Sequence, residues 1–220
     1  MTLSSFSHGS NNINFRLEAR EVSKAFGRRI ICRDIRVTVS SGESLAVVGP
    51  NGSGKSTFVK MLAGLIRPDS GTIQYRAGDQ TFKPEEWHQH LSMVSPELAL
   101  YEELTGYENL EFAGEVLGLG RGRSDLDELL DEIGLHGRGA DFVAAYSSGM
   151  KQRLKFALAF LKEPQVLLLD EPTVTLDDDG VARVWSALAK RRLALVIATN
   201  DSNEAARAQR RIVMGVSSNA

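Results

Sequence analysis

The sequence contains little cysteine and no long hydrophobic run. Its single cysteine among 220 residues, Cys32, excludes an internal disulfide and a cysteine-based metal cluster. No apolar run approaches the ~18 residues that a bilayer-spanning helix needs. Residues 1–14 are rich in Ser and Asn and lack a basic region followed by an apolar one, so we expect a loose tail and not a secretory signal. These absences predict a cytoplasmic protein that reaches a membrane only through a partner.

The chain also lacks an excess of either charge. Its 26 basic and 28 acidic residues give a formal net charge of −2, so no overall field attracts nucleic acid or anionic lipid. Two short basic clusters, residues 121–123 and 207–211, have no aromatic residues among them and are typical of solvated surfaces. We therefore expect no nucleic-acid partner.

A glycine-rich stretch follows the apolar residues 44–48 and precedes apolar residues at helical spacing in 57–63. It consists of Gly49, Pro50, Asn51, Gly52, Ser53, Gly54, Lys55, Ser56 and Thr57, which fit the form G-x-x-x-x-G-K-[ST]. A strand, a glycine-rich turn and a helix in this order direct backbone N–H groups at an anion. In such a loop the lysine reaches the β- and γ-phosphates and the following hydroxyl binds Mg²⁺, which favours a nucleoside triphosphate site over an ordinary turn.

Two further motifs lie late in the chain. The apolar residues 166–169 read as a buried central strand that ends in Asp170 and Glu171. Asp170 is placed to hold the Mg²⁺ shell, and Glu171 to polarise a water that attacks the γ-phosphorus. Upstream, Ser147 and Ser148 open a helix, where a hydroxyl-rich turn is either a second anion site or a plain N-cap.

The remaining periodicity predicts an antiparallel layer beside a nucleotide-binding core, with a helical block at about residues 97–160. A helix within this block is expected to begin at Ser124 as its N-cap. The other predicted elements are strands at 13–22, 29–39, 72–75, 91–94, 193–199 and 211–216, a loop with a short helix at 77–88, and helices at 148–162, 178–190 and 203–208.

With these motifs, residues 14–216 resemble the ATP-binding cassette (ABC) ATPases, specifically the nucleotide-binding subunits of ABC transporters. The resemblance implies an α/β fold: a P-loop NTPase core with a mixed sheet, an antiparallel β subdomain and an inserted helical subdomain. It implies that residues 1–220 form one ABC ATPase domain, with a core and β subdomain at 14–95 and 163–216 and the helical subdomain at 96–162.

The resemblance also assigns residues to the site. Phe26 lies where an aromatic residue stacks on adenine, Ser147, Ser148 and Gly149 match the signature loop, and Asp177 matches a loop that crosses a dimer interface. The catalytic residues it implies are Glu171, Asn200 and Lys55, and the metal ligands are Ser56 and Asp170, with ATP and Mg²⁺ as the bound groups.

The implied mechanism joins two cassettes, as a homodimer or a cassette heterodimer, around two Mg-ATP. Each glycine-rich loop then faces the other subunit's Ser147–Gly149 turn. The two cassettes close around ATP and reopen after hydrolysis, and this movement passes to an integral-membrane permease subunit. The resemblance therefore places this chain in the cytoplasm on the inner face of the cell membrane. The short cassette resembles small exporter subunits.

Two positions depart from the family pattern. Pro96 stands where the family usually has Gln, with Glu97 or water as a substitute, and Asn200 stands where it usually has His. Asn donates a neutral hydrogen bond but carries no charge. We expect a working ATPase; the alternatives are a soluble ABC ATPase, in cluster assembly, or a regulatory ATP switch with weak turnover.

Overall fold

The computed structural model describes residues 14–215, so the predicted tail lies outside the described residues, apart from Asn14. The strands in this range are β1 (Phe15–Phe26), β2 (Arg29–Ser40), β3 (Ser44–Val48), β4 (Ser70–Ala77), β5 (Gln80–Phe82), β6 (Leu91–Val94), β7 (Val166–Asp170), β8 (Ala194–Thr199) and β9 (Arg210–Val213). The α-helices are α1 (Lys55–Leu62), α2 (Gly106–Val116), α3 (Arg123–Glu132), α4 (Ser148–Phe160), α5 (Asp178–Ala189) and α6 (Ser202–Ala206), and short 3-10 helices span Pro84–Gln89 and Val143–Ala145.

The antiparallel sheet has the order β2-β1-β4-β5. In β1 the apolar side chains of Phe15, Leu17 and Ala19 alternate with polar ones and are at most 2% exposed, because one face of the sheet packs on the core and the other meets water. This layer is the antiparallel subdomain that the sequence predicts.

The second sheet has the order β6-β7-β8-β3-β9, and its pairings β6·β7, β7·β8, β8·β3 and β3·β9 are all parallel. Every residue of β7 is buried, as a strand covered on both faces requires. The α/β fold class is confirmed with one correction. The core sheet was expected to be mixed, whereas the antiparallel pairings among the described strands belong to the other sheet.

Two apolar clusters cover the parallel sheet. On one face α1 packs with Phe58 and Met61 against the sheet and the antiparallel layer. On the other face the helices of residues 106–189 contribute Leu110, Leu130 and Phe156 to a second cluster. The carboxyl ends of β3, β7 and β8, which are neighbours in the sheet, therefore open onto one region beside the start of α1.

Some predicted boundaries are wrong. Ser124 lies inside α3, whose N-cap is Gly122, because the Asp125 carboxylate accepts a hydrogen bond from the Gly122 N–H and so starts the helix earlier. Strand β4 extends on both sides of the predicted 72–75, and β5 lies where a loop was expected. The paired strands β4 and β5 are rich in polar residues, so their sequence shows little of the apolar alternation from which a strand is predicted.

None of the helices within residues 14–215 has the length and apolar character needed to span a bilayer.

Candidate functional site

The glycine-rich loop connects β3 to α1 in the geometry that the motif predicts. Gly54 is the N-cap of α1 and has a φ of 100°, in the left-handed region that favours glycine. A Cβ there would lie 2.4 Å from Ile31 Cγ2, and one at Gly49 would lie 2.5 Å from the Met214 carbonyl oxygen. The loop therefore needs glycine at both positions to pass so close to its neighbours.

The other residues of the glycine-rich loop differ in their exposure. Pro50, Asn51 and Gly52 are exposed at the tip, whereas Ser56 and Thr57 lie half-buried in the first turn of α1. Ser53 Oγ is buried and has no hydrogen-bond partner among the described residues, which leaves its donor and acceptor capacity for a bound group.

Lys55 is buried, with 5% of its side chain exposed, and lies over its own loop. Its Nζ donates to the carbonyl oxygens of Gly49 at 2.9 Å and Pro50 at 3.3 Å. The same ammonium lies 3.5 Å from Glu171 Oε1. The structure thus brings together two of the three residues that the sequence assigns to catalysis.

Asp170 ends β7 with 1% of its surface exposed, and its Oδ1 has no hydrogen-bond partner among the described residues. Burial raises the pKa of this carboxyl, and a hydrogen bond with Ser56 opposes the shift. A divalent cation would satisfy the orphaned oxygen and stabilise its charged form, so the Ser56 hydroxyl and Asp170 carboxylate fit Mg²⁺.

Residues 14–215 hold no group of three or more His, Cys, Asp or Glu side chains that could bind a metal by themselves. Mg²⁺ is usually held by one or two carboxylates together with substrate phosphates and waters, so the metal ligands Ser56 and Asp170 stay a prediction.

Glu171 has an unusual backbone for a non-glycine residue, with a φ of 47°. Its N–H donates to the Ala198 carbonyl oxygen of β8 at 2.8 Å, which holds this conformation in place. Such left-handed residues are found mostly where the surrounding structure fixes them, often at functional sites. Here the conformation accompanies the turn of the chain out of β7 beside Lys55.

Asn200 follows β8 directly, and its Nδ2 donates to Asn51 Oδ1 at 2.9 Å. This contact links the end of β8 to the tip of the glycine-rich loop. Asn200 therefore lies beside the glycine-rich loop, and its role in the site stays a prediction.

The signature residues and Asp177 lie at the starts of α4 and α5. Ser147 is the N-cap of α4 and accepts a hydrogen bond from the Met150 N–H at 3.2 Å. Asp177 is the N-cap of α5 and accepts from the Gly180 N–H at 2.8 Å. A Cβ at Gly149 would lie 3.1 Å from the Thr175 carbonyl oxygen, so the starts of the two helices adjoin. Gln152 Nε2 also donates to the Pro172 carbonyl oxygen at 2.8 Å, which joins α4 to the segment after Glu171.

Phe26 ends β1 with 51% of its surface exposed, which leaves a ring face open for a planar group. Lys24 Nζ lies 5.2 Å from the centre of this ring, and the same ammonium pairs with Asp69 at 2.7 Å.

Two residues near the site were missed from the sequence. Glu204 of α6 is 5% exposed and accepts hydrogen bonds from the Thr173 N–H at 3.1 Å and from the Thr173 hydroxyl. It joins the helix after Asn200 to the segment after Glu171. Lys155 of α4 donates to the carbonyl oxygens of Ser95 and Pro96 at 3.2 and 3.1 Å. Both are charged residues on helices, which from sequence read as solvated.

Comparison with known proteins identifies the family to which the chain belongs. The sequence model described as ABC transporter matches residues 32–174. The linearmycin resistance ATP-binding protein LnrL of Bacillus subtilis (strain 168) is 39% identical over 166 residues, which are 73% of this chain and 52% of that protein. The lantibiotic transport ATP-binding protein SrtF of Streptococcus pyogenes is 34% identical over 169 residues, which are 75% of this chain and 70% of that protein.

A solved structure described as the ATP binding subunit of an ABC transporter superposes with a TM-score of 0.77 at 28% identity, and the match covers 90% of this chain and 85% of that one. The chain spans about half the length of LnrL. The family match, the relatives and the shared fold agree with the geometry of the glycine-rich loop: this chain belongs to the ABC transporter family.

Proposed function

We propose that this chain is the ATP-binding and ATP-hydrolysing subunit of an ABC transporter. The observation that carries the proposal is the convergence of Lys55 and Glu171, 3.5 Å apart, with the buried Asp170 beside a loop built to approach phosphates. Lys55 follows β3 through the glycine-rich loop, and Asp170 and Glu171 lie at the end of β7, which is separated from β3 by β8 alone, so their positions follow from the fold.

In this proposal the loop N–H groups and Lys55 bind the β- and γ-phosphates of ATP. Ser56 and Asp170 hold Mg²⁺, which would neutralise charge on the phosphate oxygens. Glu171 orients a water and accepts its proton as the oxygen attacks the γ-phosphorus. The bond to the bridging oxygen of ADP breaks, and phosphate leaves. Asn200 donates an amide hydrogen bond to a γ-phosphate oxygen.

We further propose that the functional form is a dimer, either of two copies or of this chain with a second cassette. The support is that Ser147, Ser148, Gly149 and Asp177 lie at the adjoining starts of α4 and α5 and not on the glycine-rich loop, and the family resemblance implies that they face the nucleotide of a partner. In this arrangement ATP forms part of the interface. Residues 14–95 and 163–216 act as the nucleotide-binding core, and residues 96–162 as the helical subdomain.

The membrane partner is a separate integral-membrane permease, with this chain on the inner face of the cell membrane. The names of LnrL and SrtF, which refer to linearmycin resistance and lantibiotic transport, favour export of a compound as the process that ATP hydrolysis drives here.

The direct test compares Mg-ATP hydrolysis by the wild type and by Glu171→Gln. We expect measurable phosphate release from the wild type and a loss of at least about a hundredfold in the variant, since a general base contributes about 10²–10⁴ in rate. Nucleotide binding, followed with a fluorescent ATP analogue, is expected to remain. A wild type that binds ATP but does not hydrolyse it, even with its membrane partner, would contradict the proposal in favour of a binding switch.

A further inference from the structure

Two arginines stand directly opposite each other on the outer face of the antiparallel sheet. Arg16 of β1 is paired with Arg76 of β4 in the register of the two strands. Both side chains face away from the core, since their chain neighbours Leu17 and Tyr75 are buried and successive side chains of a strand alternate between its faces. Like charges directly opposite each other destabilise a sheet, so a negative charge beside this pair would stabilise it.

The two acids of β1 are already paired with other arginines. Glu18 lies two residues after Arg16, and one of its oxygens accepts a hydrogen bond from Arg20 Nη2 at 2.9 Å. Its other oxygen lies 2.9 Å from Arg20 Nε. Glu21 forms an ion pair with Arg36. Strand β4 contains no acid, so the sheet around the opposed arginines has no carboxylate to spare.

The Arg76 guanidinium is the less exposed of the two and is incompletely satisfied. Its Nε is buried and has no hydrogen-bond partner among the described residues. No carboxylate of residues 14–215 forms an ion pair with Arg16 or Arg76, and this includes the exposed Asp79 in the turn after β4. A buried donor without an acceptor is costly, so an acceptor from outside this set of residues would stabilise the sheet here.

The remaining parts of the chain contain no acidic side chain that could fill this role. Residues 1–13 and 216–220 include neither Asp nor Glu. The composition of these segments therefore favours a bound anion as the charge that compensates the two arginines.

A cavity of about 200 Å³ adjoins both arginine side chains. It is lined by Asn14, Arg16, Arg76 and Gly78. Pockets for whole small molecules measure about 300–1,000 Å³, so this cavity fits a single group of a ligand. The strand register places Ser40 beside Arg16 and Thr81 beside Arg76, so hydroxyl side chains continue the row at both ends. The row therefore offers hydrogen-bond donors and no negative charge.

We propose that Arg16 and Arg76 form a binding site for a phosphate group. Each guanidinium presents a planar fork of donors that matches phosphate oxygens. A phosphate monoester carries a charge of about −1.5 to −2 at neutral pH, which balances two guanidinium groups, whereas a carboxylate balances one. Phe26, where adenine is expected, ends the same strand roughly 30 Å from Arg16, at about 3.3 Å per residue. The site is thus distinct from the glycine-rich loop and does not rest on the proposed ATPase activity.

The test titrates inorganic phosphate into the full chain at constant ionic strength, with saturating Mg-ADP to fill the nucleotide site. Arginine Nε–H signals in a proton–nitrogen correlation spectrum report binding, and the signals lost in Arg16→Gln and Arg76→Gln identify the two side chains. We expect both signals of the wild type to shift and to saturate. In each variant the signal of the remaining arginine should show affinity at least about tenfold weaker, because one charged donor group is gone.

Arg211→Gln is the matched control. Arg211 is an exposed arginine of β9 that is paired with Ala46 in the strand register and has no ion pair within residues 14–215. The substitution removes the same charge without touching the opposed arginines, so phosphate affinity should equal that of the wild type. Melting temperatures show that all variants fold, and phosphate should raise them for the wild type and Arg211→Gln by more than for Arg16→Gln and Arg76→Gln.

Phosphatidylcholine vesicles that contain phosphatidic acid present the same phosphate group on a lipid. Vesicle binding that is lost in Arg16→Gln and Arg76→Gln would assign the group to a lipid headgroup, and binding of inorganic phosphate without vesicle binding would assign it to a soluble molecule. The site is overturned if neither probe binds. Equal losses in all three variants would also overturn it, because they would assign the effect to the general charge of the surface.

Discussion

Asp170 carries a buried negative charge that the described protein groups only partly compensate. It is 1% exposed, and its pKa is raised above the usual value by burial. A raised carboxyl pKa means that the fold prefers the protonated form. The stability associated with that proton is present below the unfolded pKa of about 3.9 and is lost as the pH rises through the folded pKa.

Asp170→Asn is therefore expected to raise the melting temperature at pH 7 in the absence of Mg²⁺ and nucleotide, because it removes the buried charge. The difference from the wild type should shrink as the pH falls through the folded pKa of Asp170. Differential scanning fluorimetry between pH 4 and pH 8 measures both effects. Asp79→Asn, in an exposed turn, is the control and should change little. An unchanged or lower melting temperature in Asp170→Asn at pH 7 would show that the site favours the ionised carboxylate.

At this scale the sequence predicts the residues that lie in short local motifs. Lys55 and Ser56 follow from one loop, and Asp170 and Glu171 from one strand end. Glu204 and Lys155 could not be predicted, because their partners lie 31 and 60 residues away in sequence. Only the folded chain brings such pairs together. The roles of the predicted site residues stay predictions until variants are measured.

Two helix starts in the described chain have nearly the same cap. Ser147 Oγ accepts from the Met150 N–H at 3.2 Å at the start of α4, and Thr105 Oγ1 accepts from the Glu108 N–H at 3.2 Å at the start of α2. The cap of α4 belongs to the signature residues, whereas Thr105 is not among the predicted site residues.

Ser147→Ala and Thr105→Ala should each cost about 1 kcal/mol of unfolding free energy, the usual effect of losing an N-cap hydroxyl, measured by urea denaturation. Only Ser147→Ala is expected to lower Mg-ATP turnover, because its hydroxyl is proposed to meet the nucleotide of a partner. Equal turnover in the two variants would assign Ser147 to capping alone.

Elements with a strong apolar signal were predictable, as the continuous apolar run of β7 and the helix α4 show. Boundaries set by a single polar contact could not be predicted, as at the start of α3, where the Asp125 carboxylate accepts a hydrogen bond from the Gly122 N–H. The order of the parallel strands also lies beyond sequence reasoning. Leu45 of β3 pairs with Val196 of β8, and nothing in either apolar run specifies that partner.

At the scale of the whole molecule, the two sheets and the helices of residues 106–189 form a scaffold that places one loop, two acids and one amide at a common edge. The signature turn opens α4 and belongs to none of these groups. In the proposed dimer the site on one chain is half of a working site, and ATP is expected to join two chains.

Light scattering of Glu171→Gln with Mg-ATP tests this central claim most directly, since the variant is expected to bind ATP without consuming it. We predict a mass of 24.1 kDa without nucleotide and about twice that mass with saturating Mg-ATP. Mg-ADP, which lacks the γ-phosphate, is the control and should leave the smaller mass. A mass of 24.1 kDa at ATP concentrations that fill the site would contradict the shared-site account.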